Sequence, residues 1–328
     1  MPAALFRVEI PGRGPTLARG EPGSGPRELL PAELSLDGLL AGAAAGLGSA
    51  LADAPAAGPV PAGAAVLPPV QSQEIWAAGL TYRRSRDARM EEAAEATPYD
   101  LAYAAERPEL FFKAPGWRAR GSAQPVAVRD DSGWDVPEPE LALVLAADGG
   151  IAGYTIGNDV SSRSIEGQNP LYLPQAKVYD GSCALGPCIV PAAPVEPPFS
   201  ISLEIGRGGG MVFRGETSTG QMHRGLADLA RWLVSALRFP AGAVLLTGTG
   251  IVPGTQFTLS PGDVVRISIG PLGTLENLVE LLRTGLVTPA EETSAPAASG
   301  PAEGASAPSA SGPAEGASAP AASGPAGG

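Results

Sequence analysis

The chain reads as a strand-rich α+β protein, and two observations carry that reading. Short apolar and β-branched runs recur between Gly/Pro turns, the spacing of strands rather than of long helices. The excess of alanine, glycine and proline, with 44 glycines and 35 prolines in 328 residues, reads as a compositional bias of the source and not as a structural demand. Sustained helical spacing stands out in one segment, where Leu226, Leu229, Ala230, Leu233, Val234 and Leu237 line one face of an amphipathic helix.

Taken in order, residues 1–70 form a small N-terminal domain and linker. Phe6–Ile10 is a strand, Pro31 to Leu40 contains a short helix start, and Pro59 to Pro69 is the linker. Residues 71–284 form the main domain, with strands at Val126–Val128, Leu141–Leu145, Tyr154–Ile156, Phe199–Ile205, Val244–Leu246 and Val264–Ile269. Residues 285–328 are a disordered tail. A twelve-residue repeat beginning at Ser294 recurs from Ser306 and, truncated, from Ser318, without a large apolar side chain that could join a core.

A formal charge of -12 argues against nucleic acid or an anionic membrane as partner, since both would repel the chain. Two cysteines, Cys183 and Cys188, are too few for a disulfide framework and lack the further ligands of a structural zinc site. The N-terminus shows no basic segment followed by an apolar run, and no stretch reaches membrane-spanning length. The cytoplasm is the expected compartment.

The chemistry concentrates in Asp135-Val-Pro-Glu138-Pro-Glu140, followed one strand later by Gly157-Asn-Asp159. Pro137 and Pro139 exclude a helix, so Glu138 and Glu140, two apart in extended chain, point to one face. The Asp148-Gly-Gly turn allows a hairpin that returns Asp159 beside them. Three carboxylates so placed suit a hard divalent ion, which takes oxygen ligands and keeps positions for water and substrate. Solvated acids at strand ends are the alternative. The lone histidine, His223, has no evident general-base partner and reads as a surface or capping residue. Gly206–Gly210 is not a dinucleotide fingerprint, and Thr247-Gly-Thr-Gly250 is not a phosphate loop.

Residues 79–280 resemble the fumarylacetoacetate hydrolase superfamily through Gly79-Leu-Thr-Tyr-Arg83, Pro108-Glu-Leu-Phe-Phe-Lys113, Pro137–Ala142, Gly153–Ser161, Leu246-Thr-Gly-Thr-Gly250 and Pro261-Gly-Asp-Val-Val265. Thr81–Met90, Ala105–Glu109 and the run Ser161–Asp180 are similar to the branch of 2-keto-3-deoxypentonate dehydratases. The resemblance implies a mixed β-sandwich roll, a homodimer or homotetramer, and magnesium, with manganese as an alternative, at Glu138, Glu140 and Asp159. It implies dehydration of a 2-keto-3-deoxy sugar acid to 2,5-dioxopentanoate through an enolate that the cation stabilises. Acylpyruvate hydrolysis and oxaloacetate decarboxylation are the alternatives within the superfamily. The carbon–carbon hydrolases carry a histidine a few residues after the tyrosine; here Arg83, Arg84 and Ser85 follow Tyr82, which disfavours a water-activating mechanism.

The same resemblance makes Lys177 and Glu109 the expected proton carriers. A lysine beside a bound cation can exchange its proton near neutrality. On sequence alone Lys177 also reads as a surface lysine and Glu109 as a loop acid. Ser85 and Arg86 are expected to hold the substrate's hydroxyl end, although Arg83 to Glu92 has the spacing of a solvated charged helix. Thr249 is expected to meet the substrate carboxylate, or else to belong to an ordinary turn between strands.

Overall fold

The computed structural model of the protein describes residues 3–83 and 102–285. Ser85, Arg86 and the repeat tail lie outside the described residues. Met1–Leu286 groups as one compact unit. Its strands begin with β1 (Ala4–Ile10), β2 (Gly14–Glu21), β3 (Gly25–Leu29), β4 (Gly58–Pro59), β5 (Ala65–Leu67), β6 (Glu74–Gly79) and β7 (Glu109–Pro115). Next come β8 (Val126–Arg129), β9 (Asp135–Val136), β10 (Pro139–Leu145), β11 (Ile151–Asp159), β12 (Ser161–Ser162) and β13 (Cys183–Pro191). The last five are β14 (Ser200–Arg207), β15 (Gly210–Ser218), β16 (Ala243–Leu246), β17 (Val264–Ile269) and β18 (Gly273–Leu282). Helices α1 (Leu36–Leu40), α2 (Gly46–Asp53), α3 (Arg163–Gln168), α4 (Leu173–Lys177) and α5 (Leu226–Val234) are short.

Two mixed sheets pack as the expected β-sandwich roll. The larger runs β4-β3-β2-β1-β13-β11-β10-β16-β6-β7, with β5 also on β1; the smaller runs β15-β14-β17-β18-β8. β1 meets β13 at Leu5 opposite Ile189, so the strands of the first seventy residues extend the sheet that carries the rest. Part of the expected linker is itself structured, since Ala65–Leu67 supplies apolar residues that pair with Arg7–Glu9.

β10 lies at the centre and is buried along its whole length. Its odd positions Leu141, Leu143 and Leu145 enter the core between the sheets, with Leu203 and Ile205 of β14 and Ile267 of β17. Even positions turn the other way: Val144 packs under Leu36, Leu40, Leu47 and Leu51 of α1 and α2, and Ala142 packs with Leu185, Val244 and Leu246. The period-two alternation therefore gives Glu138 and Glu140 the face of Ala142 and Val144.

The helix expected through Leu237 ends at Val234, and Leu237 is exposed. Pro240 cannot continue a helix, and the chain turns there into β16. Gly206–Gly210 lies in the β14–β15 hairpin, where Gly208 and Gly209 take the positive φ that the turn requires. Both cysteines are free and buried, and burial pushes their thiols up to about 12. No helix among the described residues is long and apolar enough to cross a membrane.

A small ribbon, β9 with β12, sets Asp135 opposite Ser162. The Asp135 carboxyl is buried, and its Oδ1 has no hydrogen-bond partner among the described residues. Burial raises its pKa to about 6, against smaller lowering effects of Ser132 and Arg129. The folded chain then holds this proton more tightly than the unfolded chain. The extra stability is fully present below the ordinary carboxylate value near 4 and is lost as pH rises through about 6. Urea denaturation from pH 4 to 7 should show Asp135→Asn gaining on the wild type by on the order of 2–3 kcal/mol across that window. Parallel pH profiles for the two proteins would contradict this account of Asp135.

Candidate functional site

The β10–β11 hairpin assembles the three carboxylates. Its register places Pro139 opposite Asn158 and Glu140 opposite Gly157, which brings Glu138 across from Asp159. The Asp159 amide donates to the Glu138 carbonyl at 3.0 Å. A Cβ at Gly157 would displace the end of the Leu246 side chain. One oxygen from each of Glu138, Glu140 and Asp159 lies within 4.8 Å of the others, and all three residues are buried.

Such a cluster is tolerable only with compensation, because burying unpaired charge is strongly unfavourable. Lys177, at the last position of α4, spans the pair: its Nζ donates to Glu138 Oε2 at 2.9 Å and Asp159 Oδ2 at 3.0 Å. Arg163, at the first position of α3, holds Glu138 Oε1 at 2.9 Å and pairs with buried Glu166 at 3.1 Å. Lys113 of β7 pairs with Asp159 Oδ1. Glu140 Oε2 accepts from the Gly248 amide at 2.6 Å.

Burial, followed by the negative charges of Asp159 and Glu138, drives the Glu140 pKa well above the ordinary carboxylate value. Lys177 and the Gly248 amide oppose that shift less strongly. The carboxylates of Glu138, Asp159 and Glu166 face the cations Lys113, Lys177 and Arg163. A divalent ion would relieve the mutual repulsion of the three ligands. The donor set is all oxygen, as a hard cation such as magnesium requires.

Glu138, Asp159, Arg163 and Lys177 form one wall of a cleft lined also by Gly79, Leu80, Phe111, Gly248 and Thr249. Lys177 Nζ stands 5.7 Å from the Phe111 ring centre. Glu109 opens β7 opposite Gly79, and a Cβ on Gly79 would overlap its carboxylate, so the acid lies against the cleft wall. Thr249 is buried at the cleft, where its hydroxyl accepts from the Ile251 amide at 3.1 Å and closes the turn. Six of the eight expected site residues are thus described, and they gather around one opening. Ser85 and Arg86 lie outside the described residues.

His223 is closer to this region than its sequence position suggested. Tyr82 bridges to Met222, the His223 amide donates to the Thr81 carbonyl at 2.8 Å, and the imidazole stacks on Tyr103 at 4.6 Å. Lys113, Arg163 and Glu166 received no role from sequence reasoning. A lysine inside the apolar run Leu110–Ala114 was the one local signal for the first, and the i,i+3 spacing of Arg163 and Glu166 for the others.

Gly248 has a φ of +87°, and a Cβ there would collide with Thr81 Oγ1 and sit 3.0 Å from the Ala78 carbonyl. Gly248→Ala should therefore lose about 1–3 kcal/mol in urea denaturation. Because the same amide orients Glu140, calorimetric titration should show weaker binding of a divalent ion than in the wild type. An unchanged affinity would separate Gly248 from the carboxylate cluster.

The family model described as fumarylacetoacetate (FAA) hydrolase C-terminal matches residues 74–280. The probable 2-keto-3-deoxyxylonate dehydratase of Haloferax volcanii is 50% identical over 213 residues, 64% of this chain and 73% of that protein. The 2-dehydro-3-deoxy-D-arabinonate dehydratase of Saccharolobus solfataricus is 44% identical over 213 residues, 63% of this chain and 72% of that one. A solved structure of 2-keto-3-deoxy-D-arabinonate dehydratase complexed with magnesium and 2,5-dioxopentanoate superposes with a TM-score of 0.72 at 33% identity. That superposition covers 85% of this chain and 99% of the other. With a family match across most of its length, a sandwich roll of the same shape and the carboxylate cluster inside the matched region, this chain belongs to the fumarylacetoacetate hydrolase family.

Proposed function

We propose that the protein is a magnesium-dependent hydro-lyase that dehydrates a 2-keto-3-deoxypentonate to 2,5-dioxopentanoate. The observation that carries this reading is the buried triad Glu138, Glu140 and Asp159 with Lys177 set against it at the cleft. Its weight comes from the two dehydratases that are 50% and 44% identical and from the dehydratase structure that holds magnesium and 2,5-dioxopentanoate. The oxygen-only donor set accepts manganese as well.

A bound magnesium ion would supply electrophilic stabilisation for the negative charge that develops on the 2-oxo oxygen. Lys177 takes the C3 proton, being the amine that lines the cleft beside the triad. The electron pair left at C3 expels the C4 hydroxyl, and Glu109 delivers the proton that lets it depart as water. Loss of a C5 proton and reprotonation at C3 leave an enol at C4–C5, and protonation at C4 with loss of the hydroxyl proton then converts the hydroxyl-bearing carbon into the aldehyde. One water leaves and no net oxidation occurs. Phe111 and Leu80 keep bulk water from the cleft, while Thr249 and the Gly248 turn shape the end that receives the substrate carboxylate. Ser85 and Arg86 are assigned to the hydroxyl end of the substrate.

Hydrolysis of an acylpyruvate is less favoured, because no histidine follows Tyr82 to activate water and His223 is engaged with Thr81 and Tyr103. The same reading assigns the protein to phosphate-free pentose breakdown in the cytoplasm, as a homodimer or homotetramer acting on a small sugar acid.

Turnover of 2-keto-3-deoxypentonate, coupled to an aldehyde dehydrogenase that oxidises the product, should require magnesium and cease in EDTA. Lys177→Met should lower kcat by about 10²–10⁴-fold, the usual contribution of a positioned proton carrier, and Glu138→Gln should abolish the magnesium response. Metal-independent turnover, or none by the folded, magnesium-loaded wild type, would contradict the proposal.

A further inference from the structure

β6 and β7 are out of step by one residue. Ile75 stands opposite Ala114 and Trp76 opposite Phe112, leaving Lys113 as the extra residue of a β-bulge. A bulge re-aims a side chain that regular alternation would send elsewhere. Here it sends a lysine into the interior, where its relative exposure is 0%. Its ammonium makes two hydrogen bonds and one ion pair there. It donates to the Val160 carbonyl at 3.1 Å and to the carbonyl of Lys177, and it pairs with Asp159 Oδ1.

Those acceptors belong to the two groups that must keep a fixed separation. Asp159 is a member of the carboxylate triad, and Lys177 sits at the C-terminal end of α4, whose last carbonyls lack helical partners. The Lys177 carbonyl takes a second bond from Ser182 Oγ at 2.9 Å. Lys177 Nζ meanwhile returns to Glu138 and Asp159 at 2.9 and 3.0 Å. The lysine is thus held at both ends, by its carbonyl through Lys113 and by its amine through the triad.

We infer that Lys113 is a positioning residue, one that locks the backbone of Lys177 to Asp159 and so sets where the Lys177 amine stands relative to the ion site. It does not reach the substrate, since the cleft is lined by Lys177 and not by Lys113. The inference rests on the proposed dehydration for its kinetic readout alone.

Lys113→Met keeps the aliphatic stem and removes the two donated bonds and the ion pair to Asp159. The ligand triad is untouched and the site becomes one charge more negative, so magnesium affinity by calorimetric titration should be equal to the wild type or tighter. Turnover should fall by about 100-fold with KM nearly unchanged, the effect expected of a misplacement near 1 Å. The crystal structure of the variant should show Lys177 Nζ shifted from Glu138 Oε2 and Asp159 Oδ2. An unmoved Lys177, an unchanged kcat, or a loss of kcat matched by an equal loss of magnesium affinity would each overturn the inference. If Lys113→Met does not fold, Ser182→Ala removes the second anchor of the same carbonyl without altering charge. It should lower kcat with magnesium affinity preserved, and unchanged turnover in that variant would overturn the inference instead. An inactive wild type would count against the dehydratase reading, while the position of Lys177 in the variant structure would still decide the role of Lys113.

Discussion

Three carboxylates forced within 4.8 Å of one another, away from water, are the constraint around which the rest of the site is arranged. Left alone they would repel each other and take up protons, and the raised pKa of Glu140 shows the residue of that tendency. The fold counters with buried cations drawn from three separate elements: Lys113 from β7, Arg163 from α3 and Lys177 from α4. Each cation pairs with particular oxygens, so the cluster has a defined geometry. The divalent ion then becomes the group that completes the balance, and its binding free energy adds to folding stability.

The scaffold explains why the cluster can be so exact in position. β10 and β11 are central strands buried on both faces, and their antiparallel register leaves no freedom to slip without moving every apolar side chain to the wrong side. The carboxylates stand at the end of that hairpin, where the strand face changes from Ala142 and Leu246 to Glu140 and Gly248. Rigid strands thus carry the ion ligands, while short helices and a turn carry the lysine and the cleft wall.

Much of this was legible in the residues themselves. Period-two alternation put Glu138 and Glu140 on one face, the Asp148-Gly-Gly turn announced the hairpin, and strong apolar runs located β10, β14, β16 and β17. β13 and β18 escaped notice, because Gly186 and Pro187 interrupt the first and alternating Glu, Asn and Thr dilute the second. The cation cradle was hidden for a different reason. Lys113 is 46 residues from Asp159 in the chain, and a β-bulge, which is a property of two strands together, decides where it points. Lys177 could be singled out only through resemblance to a family, since nothing local marks a lysine in Gln175–Tyr179 as buried. His223 came to lie beside Thr81 through the bridge from Tyr82 to Met222, a contact across 140 residues that no local pattern encodes.

Anomalous diffraction from a crystal soaked in manganese, recorded at the manganese edge, tests the central claim without recourse to turnover. A single strong peak in contact with Glu138, Glu140 and Asp159, with Lys113 still paired to Asp159, is the result this account predicts. A peak at other residues, or none at a manganese concentration that saturates binding in solution, would show that the buried carboxylates are a structural ion-pair network and not an ion site.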